Sequence, residues 1–417
     1  MTVGKMRLYD TAEQEVVAFE PAAGPGGTVT IYTCGITPYD AAHLGHAATY
    51  LAYDVVQRRL QDLGYRTMLV RNVTDVDDDI LRKARELGVH YLDLAAEEMA
   101  RFSADMDALG LLPAASEPRA TSAIPDILGF IGMVLASGHA YQAGGAVYFD
   151  VSSWPGFGSI SHYARDKMLQ LARERGGNPG DPNKGDPLDF VLWQPSAPGE
   201  PAWDSLWGRG RPGWHIECSA LAVRELGVTI DLHGGGSDLI FPHHECEAAQ
   251  SEAATGELFV RHWAHAGMVR YEGTKMSKSL GNLVFVRDLL ETWEPAVIRL
   301  AVLAHHYRSD WDWHEGLLSQ AADRLALWRK HVDAEGLSGP GRSGPEPGLG
   351  LSGPERSGPG EPGAGGGGVL DEVRAALDDD LSTPRALTAI DAAASDTVGE
   401  SSRGELVEAA ALLGVQF

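Results

Sequence analysis

A chain of 417 residues, 44% of them hydrophobic, is long enough for two or three domains with real cores. Its formal charge of −24 weighs against an extended grip on nucleic acid, which needs phosphates neutralised by Lys and Arg, although a local basic patch stays open. No run approaches the ~18 to 20 apolar residues of a membrane span, and the first ten residues hold no apolar signal core, so a cytoplasmic protein without a membrane partner is expected.

Three cysteines, Cys34, Cys218 and Cys246, are too few and too scattered for a disulfide framework. Metal binding or chemistry explains them better. Residues 28–33 alternate β-formers after a glycine-rich approach and predict a buried strand ending at Cys34, where Gly35 and Pro38 stop it. From Ala41, the positions Leu44, Ala48, Leu51, Val55 and Leu60 follow the helical period as far as Gly64. Strand, turn and helix form the first unit of an α/β nucleotide site. His43 and His46 lie three apart on the first turn, where backbone N–H groups favour phosphate, and Gly45 lets a ligand come close. Taken alone, these histidines could equally be two exposed residues on an ordinary helix.

A second strand is predicted over 66–70, running into Asn72, Val73, Thr74 and the acidic stretch Asp77-Asp78-Asp79, with Asn72 and Thr74 as ligand candidates and the aspartates as helix caps. Helices over 91–109 and 124–135 and a strand near 146–150 read as structural. Between 159 and 214 the Gly, Pro and Trp punctuation predicts an insertion packed over the site rather than more sheet. The sheet is then expected to resume at Trp214-His215-Ile216-Glu217-Cys218, followed by a helix to Leu226, a strand over 228–233 and Gly234-Gly235-Gly236-Ser237-Asp238. Glycines after a strand let backbone approach a ligand. Phe241-Pro242-His243-His244-Glu245-Cys246-Glu247 opens another helix on which His243 and Glu247 share a face at i, i+4, a spacing that suits a metal, while Cys246 points away and packs. Lys275-Met276-Ser277-Lys278-Ser279 sits in a turn-rich loop, and helical patterns follow over 295–306 and 314–332. A Gly/Pro/Ser tract over 336–368 reads as a flexible linker to a short helical tail, 369–417, which is expected to pack back on the body because ~50 residues make a poor independent domain.

Together, His43-Leu44-Gly45-His46 and Lys275-Met276-Ser277-Lys278-Ser279 resemble the paired signatures of class I aminoacyl-tRNA synthetases, and the pairing is far more specific than either motif alone. Cys34, Trp214-His215-Ile216-Glu217-Cys218 and Phe241-Pro242-His243-His244-Glu245 narrow the resemblance to the cysteinyl-tRNA synthetase-like group, over residues 7–329. Within that group the chain most resembles the cysteine:glucosaminyl-inositol ligases of mycothiol biosynthesis, through the stretches 34–40, 46–49, 174–179, 265–268 and 304–311.

The resemblance implies a Rossmann-like α/β catalytic core in two halves (1–110 and 214–294), an inserted connective subdomain (111–213), a helical stem (295–335), the linker and the α-helical tail. It implies Zn2+ held by Cys34, Cys218 and His243, with Glu247 as candidate fourth ligand, and ATP with Mg2+ as co-substrate. His43, His46, Lys275 and Lys278 would act on the phosphates. Cys34, Gly35, Ile36, Thr37, Thr49, Asn72, Val73, Thr74, Trp214, Gly236, Ser237, Asp238 and Val269 would surround the adenylate. The implied partners are L-cysteine, ATP and glucosaminyl-inositol, acted on by a monomer and without tRNA. Two alternatives stay open: a truncated cysteinyl-tRNA synthetase and a non-catalytic zinc- and nucleotide-binding module.

Overall fold

The computed structural model describes residues 6–39, 42–276, 281–336, 368–396 and 403–417. The expected linker falls almost wholly outside them.

Four parallel strands form the central sheet, in the spatial order Trp263–Ala266, Leu232–Gly236, Thr28–Ile36 and Arg66–Val73. The chain starts at Thr28–Ile36, adds Arg66–Val73 on one side and the other two strands on the opposite side. The strand order therefore reverses between Thr28–Ile36 and Leu232–Gly236, and at such a switch point an α/β sheet opens a crevice at its carboxyl edge. The crossover helix Leu44–Asp62 buries Leu44, Leu51, Val55 and Leu60 against the sheet. Its partner strand is longer than the 66–70 expected because the ladder with Thr28–Ile36 carries on past the apolar run, pairing Arg71 with Thr33 and Val73 with Ile36.

Three expectations are corrected. The segment after 159 does supply sheet: Phe190–Pro195 and Gly210–Pro212 complete a second, antiparallel four-stranded sheet with Ala140–Ala143 and Ala146–Phe149. Its apolar face packs with the helices Ile124–Ala136 and Trp214–Leu226 in a cluster of its own that includes Phe149, Phe190, Trp193 and Ile216. Trp214 to Cys218 are not strand but the first turns of the helix Trp214–Leu226, entered from Gly213. The strand expected over 228–233 is Leu232–Gly236 instead, so Gly234, Gly235 and Gly236 lie in the sheet and not after it.

Beyond Pro295–Leu303 and the long helix Gly316–Gly336, the tail folds as Val369–Leu377, Thr383–Ser395 and Arg403–Leu412. These helices share the main core, with Val373, Leu377, Leu387, Ile390 and Leu406 fully or almost fully buried. An ion pair anchors them from below: Arg299, 1% exposed, reaches Asp54 on the crossover helix and donates to the carbonyls of Leu109 and Leu413.

Candidate active site

Cys34 ends the buried stretch of the first strand at 5% exposure, facing Cys218 on the helix that follows the insertion. The two Sγ atoms are 3.9 Å apart, and Cys34 Sγ lies 3.3 Å from Glu247 Oε1. Glu247 stands on the helix Glu245–Thr255, one turn after His243. The ligand atoms of Cys34, Cys218, His243 and Glu247 all fall within 4.8 Å of one another, and all four residues are buried. The structure thus brings together the three ligands implied by the sequence and the candidate fourth.

The chemistry of this quartet fits a soft divalent cation. Two sulfurs, an imidazole and a carboxylate are a zinc donor set. His243 Nε2 is 2.9 Å from Glu247 Oε1, so a nitrogen and an oxygen converge within the quartet. Burial alone would raise the Cys218 thiol, but the Cys34 hydrogen bond and the His243 charge outweigh it and bring the thiol down to about 6. Burial likewise disfavours charge on His243, yet the Glu247 carboxylate and the Cys218 thiolate hold it protonated, with a pKa of about 10. Glu247 is held well below the carboxylate range against its burial by His243 and His233. A buried proton on His243 kept in place by two anions marks the point that a divalent cation would take over.

Around the quartet runs a chain of histidines that the sequence reading did not single out. Cys34 Sγ meets His244 Nε2 at 3.3 Å, His244 Nδ1 meets His265 Nε2 at 2.7 Å, and His265 Nδ1 meets Thr11 Oγ1 at 2.7 Å. His233 Nε2 contacts Glu247 Oε2 at 3.0 Å, and His215 Nδ1 contacts His243 Nδ1 at 2.8 Å. Burial drives His244 and His265 well below the ordinary imidazole value, His265 to about 3, so both are neutral and orient their neighbours through hydrogen bonds. Cys34, His233, His244 and Glu247 form a second overlapping group of potential ligands. Cys246 lies in the apolar cluster beneath, as its position on the helix implied.

The side of the crevice toward His43 and Asn72 is shaped by backbone. A Cβ on Gly35 would lie 1.5 Å from the Asn72 carbonyl oxygen, so only glycine lets the first two strands close there. Gly35 N donates to Asn72 Oδ1 at 2.8 Å and Asn72 Nδ2 donates to Thr74 Oγ1 at 3.2 Å. Ile36 and Val73 are buried as a pair in the parallel register beside them. Thr37 Oγ1 donates to Asp77 Oδ2, and Asp77 caps the helix Asp78–Leu87 by accepting from Ile80 N. His43 caps the crossover helix, accepting from Gly45 N, and its ring stacks on His46 with centroids 3.8 Å apart. Thr49 Oγ1 bonds back to the Gly45 carbonyl one turn earlier, a local role within the helix.

Trp214 stacks on His243 at 4.2 Å and so bridges the quartet to the crevice. Gly236 leads into the short turn Ser237–Leu239, which carries Asp238. Arg175, the end cap of the helix Arg165–Glu174, clamps that turn by donating to the carbonyls of Asp238 and Phe241. Val269 begins the strand Val269–Tyr271, whose neighbour Thr274–Lys275 enters the lysine loop. Of that loop's lysines only the backbone of Lys275 is described, and Lys278 lies outside the described residues. The chain beyond the loop returns to the histidine turn: Leu44 N donates to the Val284 carbonyl at 2.8 Å, and His43 bridges to Phe285.

Comparison with known proteins agrees with this geometry. Residues 22–323 match the family described as tRNA synthetases class I (C) catalytic domain. A relative from Thermobispora bispora, named L-cysteine:1D-myo-inositol 2-amino-2-deoxy-alpha-D-glucopyranoside ligase, is 47% identical over 98% of this chain and 95% of its own length. Relatives bearing the same name from Kribbella flavida and Mycobacterium ulcerans are 45% and 46% identical, over 99% and 96% of this chain and 96% and 92% of theirs. Among solved structures, methionyl-tRNA synthetase of Mycobacterium tuberculosis with methionyl-adenylate aligns with a TM-score of 0.65 at 17% identity, covering 93% of this chain and 89% of that one. A leucyl-tRNA synthetase of Agrobacterium radiobacter aligns at 0.60 and 11% identity, over 95% of this chain and 83% of its own. At these identities the structural likeness speaks for the fold alone.

Proposed function

The chain belongs to the class I (C) tRNA synthetase catalytic-domain family and, within it, to the L-cysteine:1D-myo-inositol 2-amino-2-deoxy-alpha-D-glucopyranoside ligases, and we propose that it activates L-cysteine with ATP and joins it to the amine of glucosaminyl-inositol, a step of mycothiol biosynthesis. It is an ATP-dependent carbon–nitrogen ligase. The observation that carries the cysteine assignment is the convergence of Cys34, Cys218, His243 and Glu247 within 4.8 Å at the switch point of the sheet.

Zinc is the ion this donor set fits best, and when bound it supplies a position for the substrate thiolate that a serine hydroxyl could not fill with comparable strength. The crevice beside it then orients the substrate carboxylate toward the α-phosphate of Mg·ATP. That carboxylate attacks the α-phosphorus, the bond to the bridging oxygen breaks, and pyrophosphate leaves, giving cysteinyl-adenylate. His43 and His46 hold phosphate oxygens, and Lys275 and Lys278 neutralise charge growing on the pyrophosphate. This is positioning and electrostatics rather than covalent catalysis. Gly35, Ile36, Thr37, Thr49, Asn72, Val73, Thr74, Trp214, Gly236, Ser237, Asp238 and Val269 enclose the adenylate. The neutral acceptor amine then attacks the activated carbonyl, AMP departs with the bonding electrons, and the nitrogen loses a proton to solvent.

Our reading is of a cytoplasmic monomer that acts on small molecules. Among the described residues no helix is long and apolar enough to cross a membrane. The test supplies ATP and labelled cysteine, then offers glucosaminyl-inositol or tRNA. Label in the amide of the amino sugar is the expected result. Label on tRNA alone would overturn the acceptor assignment, and no cysteine-dependent ATP–pyrophosphate exchange at all would overturn the activation step.

A further inference from the structure

The tail helices lie beyond the matched catalytic domain, which ends at residue 323, yet a continuous set of hydrogen bonds joins them to the nucleotide side of the crevice. At its origin is Asp380, in the turn between Val369–Leu377 and Thr383–Ser395. Asp380 and Leu381 hold consecutive left-handed conformations, with φ of 55° and 50°. Such angles disfavour side chains other than glycine, so something must hold the turn in place. The holder is the Asp380 carboxylate, 6% exposed. It accepts from Tyr9 N at 2.9 Å, Tyr307 hydroxyl at 3.0 Å and Arg308 Nε at 2.6 Å, with His306 Nε2 at 3.7 Å.

Three of these four partners belong to one stretch, 306–308, and that stretch runs directly into the support of Val269. Gly267 N donates to the Tyr307 carbonyl at 2.7 Å, and Met268 N donates to Asp310 Oδ1 at 2.9 Å. A Cβ on Gly267 would meet the Ser309 carbonyl oxygen at 2.3 Å, which shows how closely the two backbones pass. Val269, Arg270 and Tyr271 then pair in parallel with Trp311, Asp312 and Trp313. Asp310 also binds Arg270 at 2.5 Å, and Asp312 accepts from Gly273 N at 2.7 Å, in the turn before Thr274–Lys275. The segment 304–313 is thus held by the tail on one side and holds the strand Val269–Tyr271 on the other.

We propose that Asp380 is a positioning residue for ATP, acting through residues 306–310 on the strand Val269–Tyr271 and the turn that leads to Lys275, so that the tail helices are part of the nucleotide site. The inference rests on reading the crevice as the site of cysteine adenylation. Cysteine-dependent ATP–pyrophosphate exchange by the unmodified full chain tests that reading by itself. Silence there sinks the reading, whereas exchange that the variants leave unmoved sinks the coupling.

The informative variant is Asp380→Gly, because glycine accepts the left-handed backbone and removes only the carboxylate. Exchange should show KM for ATP raised about tenfold, with KM for cysteine and bound metal within twofold of the parent. Asp310→Ala, which removes the acceptor of the Met268 N–H and the partner of Arg270 and so cuts the same route nearer the strand, should do likewise, and the double variant should be no worse than the more severe single one. Unchanged KM for ATP would overturn the proposal, as would a parallel rise in both KM values, which reports general loosening. Full additivity of the two variants would also overturn it.

Discussion

Replacing Glu247 by Gln asks whether this carboxylate is a ligand or only a partner of His233. Glutamine has the same shape, so a fully buried position with His233 Nε2 at 3.0 Å accepts it without a cavity. What changes is charge. The quartet loses its carboxylate, and Gln offers only a neutral carbonyl oxygen in place of an anion 2.9 Å from His243 Nε2 and 3.3 Å from Cys34 Sγ. Loss of an outer partner of a metal ligand typically costs 10- to 100-fold in affinity, so loss of a ligand should cost at least about 100-fold, or ~2.7 kcal/mol. The assay is competition for Zn2+ against a chelator of known strength, read beside exchange activity and an unfolding curve. A zinc affinity within about twofold of the parent, with stability intact, would refute Glu247 as a ligand and leave the three-ligand set Cys34, Cys218 and His243.

Lys278→Ala should lower cysteine-dependent exchange by about 100-fold or more while bound metal stays unchanged, and normal exchange would remove that lysine from the mechanism. Gly35→Ala drives a methyl into the Asn72 carbonyl, so it should lose at least the ~1 to 3 kcal/mol of an overpacked core in urea unfolding, and a wild-type midpoint would contradict the close approach of the strands. Asp54→Asn leaves Arg299 charged and buried, and should destabilise by about 3 to 5 kcal/mol. Desolvation opposes the Asp54 charge, but Arg299 and Arg58 outweigh it and lower its pKa, so the stability it contributes is full above about pH 4 and fades as pH falls through the folded value. An acid-unfolding profile of the parent that is no steeper below pH 4 than that of Asp54→Asn would contradict this.

How much of this could be read without coordinates depended on whether the signal was local. The strand, turn and helix around Cys34 were legible because alternation, Gly35 and Pro38, and the helical period from Leu44 all agree within forty residues. Glu247 paired with His243 because the turn Ile240–His244 runs straight into the helix Glu245–Thr255, so the i, i+4 spacing still brings the two side chains together. Trp214 to Cys218 misled because Trp and Ile favour strands on composition, whereas the packing of Ile216 against the inserted sheet made the segment helical. The strand Phe190–Pro195 was missed since a six-residue run ending in proline carries little periodicity of its own. His233, His244 and His265 sit on separate elements that only the sheet order brings together, and Arg175 reaches the Asp238 turn from the insertion. No spacing rule connects such residues.

The distance along the chain between the quartet's members has a consequence for how the protein comes into being. Cys34 is separated from Cys218 by 184 positions and from Glu247 by 213. On the ribosome, therefore, the first thiol waits for half the polypeptide to be made before its partners exist, and its contacts with them are strongly non-local. A metal ion held by all four residues would then require a chain whose central sheet has already closed in the right order. In a refolding experiment the arrival of metal at this site would serve as a clock for completed topology, ticking later than the helices that flank it.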